Sequence, residues 1–424
     1  MFAALKVRNY RLFATGSLIS NVGTWMQRVA QDWLVLTLTG SAGALGITTG
    51  LQFLPILLFS PIAGVLADRF PKRSVLIVTQ IAMAATAAVL GVLAITNTVE
   101  EWHIYVLAFV FGVGAAFDTP ARQAFVNEMI GKAALTNAVA LNSATLHLAR
   151  MVGPSIAGGV IALLGSGVGA TGWVILVNAA SYFAVVVSLK MMRSEDLRPV
   201  PLVPRGKGQL RAGVAYVRSR PDIMLVMGVV FSAGTFGLNF QMTTALMATK
   251  VYDKGAGEYG LLGSIVAIGS LAGALLAARR TSSRQRLVVM SGVAFGLVTM
   301  VAGLMPSYLT FALILPVCGF AALTLVTAAN AFVQMAVDPS MRGRVMALYM
   351  AVFMGGTPFG APLLGWIADH AGARWTLIGG GALTAFGTVV AVLLSARRQG
   401  LVITRYFRSA PHPADVDIGP VVAD

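Results

Sequence analysis

The chain has 424 residues, of which 57% are hydrophobic and only 11% charged, and its mean hydropathy of +0.79 is far too apolar for an ordinary soluble protein. Its 31 Lys and Arg against 16 Asp and Glu give a net charge of +15, which in a soluble protein would suggest nucleic acid but in a membrane protein reports which loops lie inside. A single cysteine, Cys318, excludes a disulfide framework and a Cys-based metal cluster, and the lack of HExxH, GxSxG and P-loop patterns leaves metallohydrolase, serine hydrolase and ATP-driven pump unsupported.

Apolar runs long enough to span a bilayer fall near 12–38, 44–67, 74–95, 103–124, 136–164, 171–192, 222–248, 257–278, 287–304, 308–335, 345–368 and 373–395. They predict an all-α membrane protein with twelve transmembrane helices. Residues 1–11 are basic, but the run that follows is too long for a signal peptide and contains Arg28, Gln31 and Asp32, so it reads as an uncleaved first helix. Placing the N-terminus inside puts 26 of the 31 Lys and Arg on the cytoplasmic side. Only Lys250, Lys254 and Arg374 fall outside, with Arg28 and Arg150 within spans, so both termini are expected in the cytoplasm.

Residues 1–192 form the first predicted bundle and 222–395 the second. Between them, 193–221 is a polar cytoplasmic linker broken by Pro199, Pro201 and Pro204. After those prolines Leu210, Val214 and Val217 recur among Arg211, Arg218 and Arg220, a pattern that fits either an amphipathic helix on the inner leaflet or a solvated linker. Residues 396–424 read as a disordered cytoplasmic tail. The two bundles repeat at an offset of 207 residues: Ala124-Phe125-Val126 matches Ala331-Phe332-Val333, Ala140-Leu141 matches Ala347-Leu348, and Gly153 and Gly158 match Gly360 and Gly365. Agreement at one offset across a span, a loop and the next span predicts two six-helix bundles related by pseudo-twofold symmetry.

The loop after the second span contains Gly64, Leu66, Asp68, Arg69, Lys72 and Arg73, with Pro71 between the charges. Gly64 permits close helix approach, and Asp68 can face a helix N-terminus and partner cations across the seam between bundles. This loop resembles the G-x-L-a-D-r-x-G-r-[kr] pattern of the major facilitator superfamily, Pro71 standing where the second glycine is usual. The resemblance implies that the loop latches the outward-open state. Asn9-Tyr10-Arg11-Leu12-Phe13, Gly23-Thr24-Trp25-Met26-Gln27 and Pro120-Ala121-Arg122-Gln123-Ala124-Phe125 are similar to the branch of that superfamily containing enterobactin exporters and macrolide-efflux pumps. Asp118 and Arg122, one turn apart at the inner end of the fourth helix, can pair with each other or with the Asp68 loop, and gating is their expected role.

The first helix has the richest polar face: Asn21, Trp25, Arg28 and Asp32 recur at helical spacing beside Ser20, Thr24, Gln27 and Gln31. A charge at the bilayer centre costs about 3 kcal/mol or more unless paired or hydrated, so this face must line a cavity or a helix interface. Asp32 reads as the acid deep within a span and is the candidate for proton coupling, with Arg28 and Arg150 as partners. A static Arg28–Asp32 ion pair is the alternative. Asp32 plus the repeat offset is Asn239, which shares a face with Ser232 and Thr235 on the seventh helix.

In the fifth helix Ser143, His147, Arg150 and Pro154 share a face, followed by Gly158-Gly159. Gly153, Pro154, Gly158 and Gly159 resemble the antiporter motif G-P-x-x-G-G, one residue longer, although ordinary helix packing also explains them. His147 is either a packed polar residue or a proton relay. Asn21, Trp25, Gln31, Phe53, His147, Thr235 and Asn239 complete the expected substrate cavity.

The reading that joins these features is a proton-coupled antiporter of the inner membrane, working as a monomer without cofactor or metal, that exports amphipathic or hydrophobic small molecules such as drugs by alternating access. The partners expected are the substrate, protons and the lipid bilayer, with no nucleic acid and no enzymatic reaction. A siderophore or lysophospholipid exporter, a proton-linked nutrient importer and a non-transporting sensor or scaffold are the alternatives.

Overall fold

The computed structural model describes residues 3–198, 209–278 and 284–398, without the side chains of 60–62, 64–68, 132–133, 209–210 and 278. In the first half the helices are α1 (Arg8–Thr39), α2 (Ala42–Arg69), α3 (Lys72–Ile95), α4 (Glu101–Met129), α5 (Lys132–Leu163) and α6 (Val168–Lys190). A short helix α7 (Gln209–Ser219) precedes α8 (Pro221–Ser232), α9 (Phe240–Leu246), α10 (Ala256–Ala278), α11 (Gln285–Gly303), α12 (Tyr308–Ala336), α13 (Arg342–Gly355), α14 (Thr357–Ala371) and α15 (Arg374–Arg398). Eleven stretches of described helix are long and apolar enough to cross a membrane. α1 is not among them, because Ser20, Thr24, Gln27, Arg28, Gln31 and Asp32 dilute its apolar residues. Its 32 residues still extend about 48 Å, more than the hydrocarbon core of about 30 Å.

Two of the expected continuous spans are broken. The seventh, Pro221–Val251, turns through a π-helical segment at Ala233–Gly237, leaves the helix at Leu238 and Asn239, and restarts as α9. The eleventh, Arg342–Ala371, is interrupted at Gly356, where Pro358 sits at the start of α14 and has no N–H to lose. Such discontinuities are tolerated at membrane depth where the backbone borders a cavity or other protein.

The two halves are assembled by the same pairings. α1 packs on α5 and α6, α3 on α4 and α6, and α2 on α4; correspondingly the Pro221–Val251 rod packs on Arg342–Ala371 and α15, α11 on α12 and α15, and α10 on α12. Across the seam α2 meets α14 and α5 meets α10. The repeated glycines do equivalent work. A Cβ on Gly153 would lie 2.7 Å from Trp25 Cβ on α1, and one on Gly360 would strike the Thr235 carbonyl of the seventh rod. One on Gly158 would strike the Ala256 carbonyl of α10, and one on Gly365 would lie 2.5 Å from the Ala42 carbonyl of α2. Each pair thus seats one contact inside its half and one across the seam, which small residues make possible in the absence of a hydrophobic drive between helices.

α7 packs against the second half of the chain. Its Gly213 faces Arg344 and Leu348 of α13, and the Tyr216 hydroxyl donates to Asp338 Oδ2 at 3.0 Å. The residues that follow α6 are held to the first half, through a 2.9 Å bond from Asn9 Nδ2 to the Arg193 carbonyl and one from Arg73 Nη1 to Ser194 Oγ at 2.8 Å.

Candidate functional site

A cavity of about 410 Å³ lies between the halves at mid-height, within the range of small-molecule sites. α1 contributes Trp25, Arg28 and Asp32, α2 contributes Gln52 and Phe53, α5 contributes Arg150, and the broken rod contributes Asn239 and Gln241. The polar face of α1 is therefore divided. Trp25, Arg28 and Asp32 look into the cavity, while Thr24 meets the Tyr182 hydroxyl at 3.2 Å and Gln27 Oε1 accepts from Asn178 Nδ2 at 2.5 Å, both on α6.

Asp32 is buried and its Oδ2 accepts two hydrogen bonds, from Tyr259 Oη at 2.7 Å and from Gln241 Nε2 at 2.8 Å. Both donors belong to the other half. No ion pair joins Asp32 to Arg28 among the described residues, so the static pair considered from the sequence is not formed. Arg28 instead lies over aromatic faces, 4.8 Å from the centre of Trp25 and 5.7 Å from that of Phe53, and Arg150 lies 5.4 Å from the same Trp25 ring. Arg28 Nε is buried without a hydrogen-bond partner.

Of the expected cavity residues, Trp25, Phe53 and Asn239 line it and Asn21, Gln31, His147 and Thr235 do not. Asn21 and His147 stand about a turn before Trp25 and Arg150 on their helices, and Gln31 is buried. The helix break separates Thr235 from Asn239: Asn239 Nδ2 donates to the Thr235 carbonyl at 2.9 Å and faces the cavity, whereas the Thr235 side chain is pressed against Gly356 and Gly360. Pro154 and Gly158 pack on α10, but a Cβ on Gly159 would meet nothing, so the two adjacent glycines are not equivalent.

The end of the bundle carrying the α1–α2 turn is pinched shut. Asp369 at the end of α14 takes hydrogen bonds from the Ala42 N–H at 2.9 Å, the Gly43 N–H at 2.8 Å and Ser41 Oγ at 2.9 Å, a carboxylate placed across the seam on the N-terminus of α2. Lys250 Nζ donates at 2.7 Å to the carbonyl of Gly40, the left-handed residue (φ 64°) that ends α1. Deeper between the halves, Ser155 on α5 and Ser264 on α10 meet at 2.6 Å. Among the described residues, every hydrogen bond between the halves lies on this side of the cavity, the Asp32 pair included.

At the opposite, basic end Asp118 and Arg122 pair within the first half, while Lys72 and Arg73 find separate partners. Asp118 is buried, a second acid inside the bundle. Its Oδ1 accepts from Thr79 at 3.0 Å and Gln80 at 2.8 Å, and its Oδ2 from Arg122 Nε at 2.9 Å. Arg122 Nη1 also donates to Ser17 at 3.0 Å, and Lys72 pairs with Glu128 at 2.7 Å. Arg69 is exposed, and the side chains of Gly64 and Asp68 lie outside the described residues. Sequence reasoning missed Gln241, Tyr259 and Glu128, and gave Asp369 and Lys250 only as helix-end and loop charges without their partners. None belongs to a motif, and each acquires its role from a partner far away in the chain.

The model of the transmembrane secretion effector family matches residues 1–407. The chain is 28% identical over 400 residues to the multidrug efflux pump Tap of Mycolicibacterium fortuitum, covering 92% of this chain and 95% of that protein. It is 23% identical over 405 residues to macrolide efflux protein A of Streptococcus pyogenes, covering 93% and 98%. In structure it is similar to a bacterial homologue of the human lysosomal transporter Spinster, inward-facing and occupied, with a TM-score of 0.71 at 15% identity over 92% of this chain and 97% of that one. The chain is thus a multi-pass membrane protein of the transmembrane secretion effector family within the major facilitator superfamily.

Proposed function

We propose that this protein exports amphipathic or hydrophobic small molecules from the cytoplasm in exchange for protons, with Asp32 as the coupling carboxylate. Relatives named for multidrug and macrolide efflux support export. The observation that carries proton coupling is that Asp32 Oδ2 accepts hydrogen bonds from Tyr259 and Gln241 on the opposite half.

An oxygen that accepts two donors is suited to the ionised carboxylate. Closing the Gly40 end of the bundle therefore supplies two donors to the ionised carboxylate, and opening that end withdraws both. With the basic end inside, Asp32 takes a proton while it faces outward and loses it when the outer side closes. Carboxyl chemistry and gate position are one equilibrium in this scheme. A proton moving through about 100 mV releases about 2.3 kcal/mol, enough for roughly fifty-fold accumulation of an uncharged substrate.

The test is export in everted vesicles under an imposed proton gradient, comparing wild type with Asp32→Asn. The variant is expected to lose gradient-driven uptake while still equilibrating substrate across the membrane. Wild-type rates in the variant under the same gradient would exclude Asp32 as the coupling group.

A further inference from the structure

The cavity holds two guanidinium groups and one carboxylate, and the carboxylate is already engaged elsewhere. Asp32 is turned toward Tyr259 and Gln241. Arg28 and Arg150 form no hydrogen bond or ion pair with any described residue, and both lie over the ring of Trp25, with Phe53 also 5.7 Å from Arg28. Stacking on a ring orients a guanidinium but leaves its N–H fork free. Two unpaired cations at membrane depth are costly unless something compensates them, and a planar fork is matched by a carboxylate, sulfonate or phosphate.

We infer that this cavity is selective for small organic monoanions that carry an aromatic or apolar body, the acidic group engaging Arg28 and Arg150 and the body lying against Trp25, Phe53 and Phe240. The inference rests on the proposed reading of the cavity as the export site, but it does not require Asp32 to titrate. With Asp32 ionised the cavity carries one uncompensated positive charge, which a monoanion neutralises. Trp25 and Phe53 supply flat apolar faces, and Gln52 and Asn239 line the same space with amides. The charge of the cargo also contributes to its exit, because an inside-negative potential of about 100 mV favours a monoanion outside by about fifty-fold. A cationic cargo would meet both arginines and oppose that potential.

Three dyes that share one fluorophore separate the possibilities: dansylglycine is anionic, dansylamide neutral and dansylcadaverine cationic. Binding is read on the purified full chain by energy transfer from tryptophan, with Arg28→Gln, Arg150→Gln and Arg150→Lys alongside and size-exclusion profiles confirming fold. The wild type is expected to bind dansylglycine about tenfold more tightly than dansylcadaverine, either Gln variant to bring the ratio within about twofold, and Arg150→Lys, which keeps the charge but not the fork, to fall between them. Equal or reversed affinity in the wild type, or a preference that survives Arg28→Gln combined with Arg150→Gln, would overturn the inference. Export of the same dyes in everted vesicles separates it from the reading beneath it. Export of dansylcadaverine but not dansylglycine rejects the anion class and leaves export standing, whereas anion-selective binding with no dye exported keeps the site and rejects export.

Discussion

Tyr259 donates its hydroxyl to Asp32 Oδ2 at 2.7 Å from the opposite half of the molecule. A hydrogen bond to a charged acceptor contributes about 1.5–3 kcal/mol, so this contact joins closure of the bundle to the state of the carboxylate. Tyr259→Phe removes the donor and keeps the ring. The expected result is a shift of roughly tenfold toward the open form at the Gly40 end. Nitroxides at Thr98→Cys and Leu304→Cys in a Cys318→Ser background, on connections at that end of each half, measure the distribution by pulsed electron resonance. An unchanged distribution would remove Tyr259 from the gate.

Asp369 and Lys250 grip the two sides of one turn, the carboxylate on the N-terminus of α2 and the ammonium on the last carbonyl of α1. Each charge complements the end of the helix it meets, at about 0.3–1 kcal/mol for an exposed site. Asp369→Asn and Lys250→Ala are expected to open the same pair of labels by a few-fold each. Combined they should act more than singly and less than Tyr259→Phe with Asp32→Asn. Detergent stability should hardly move, because neither change disturbs packing within a half.

Gly158 and Gly159 are neighbours with opposite surroundings. A Cβ at Gly158 strikes the Ala256 backbone across the seam, and one at Gly159 meets open space. Gly158→Ala is expected to hold the halves apart at the Gly40 end and to depress export by an order of magnitude or more, as expected for a backbone contact that cannot relax. Gly159→Ala should transport like wild type. Equal loss in both variants would show that helix flexibility, rather than space, is what the glycines supply.

Arg122 neutralises a buried carboxylate that already accepts from Thr79 and Gln80. Removing one partner of a buried pair costs about 3–5 kcal/mol because the other charge remains. Arg122→Ala should therefore lower the midpoint of thermal unfolding in detergent markedly, and Asp118→Asn combined with Arg122→Ala should recover part of the loss. If Arg122→Ala unfolds like wild type but changes the label distances, the cluster is a gate and not a brace.

The span pattern, the gathering of basic residues in alternate loops and the repeat at 207 residues were legible in the sequence because hydropathy, charge and spacing are local properties of the chain. Asp32 and Arg150 were legible for the same reason, since an ionisable residue inside an apolar run stands out wherever its partners are. The repeat also marked Gly153, Gly158, Gly360 and Gly365, and the fold gives each the same task as its counterpart.

What that reading missed depends on which turn of one helix meets which turn of another. Arg28 and Asp32 sit one turn apart and invite pairing, yet Asp32 bonds to Gln241 and Tyr259, more than 200 positions away, and Arg28 turns to Trp25 and Phe53. Thr235 and Asn239 share a helical face only if the helix continues, and the break at Leu238 and Asn239 sends one into packing and the other into the cavity. The register is set by close backbone approach at glycines across the seam. Those contacts join residues from different halves, and their geometry has no counterpart in the order of residues along the chain.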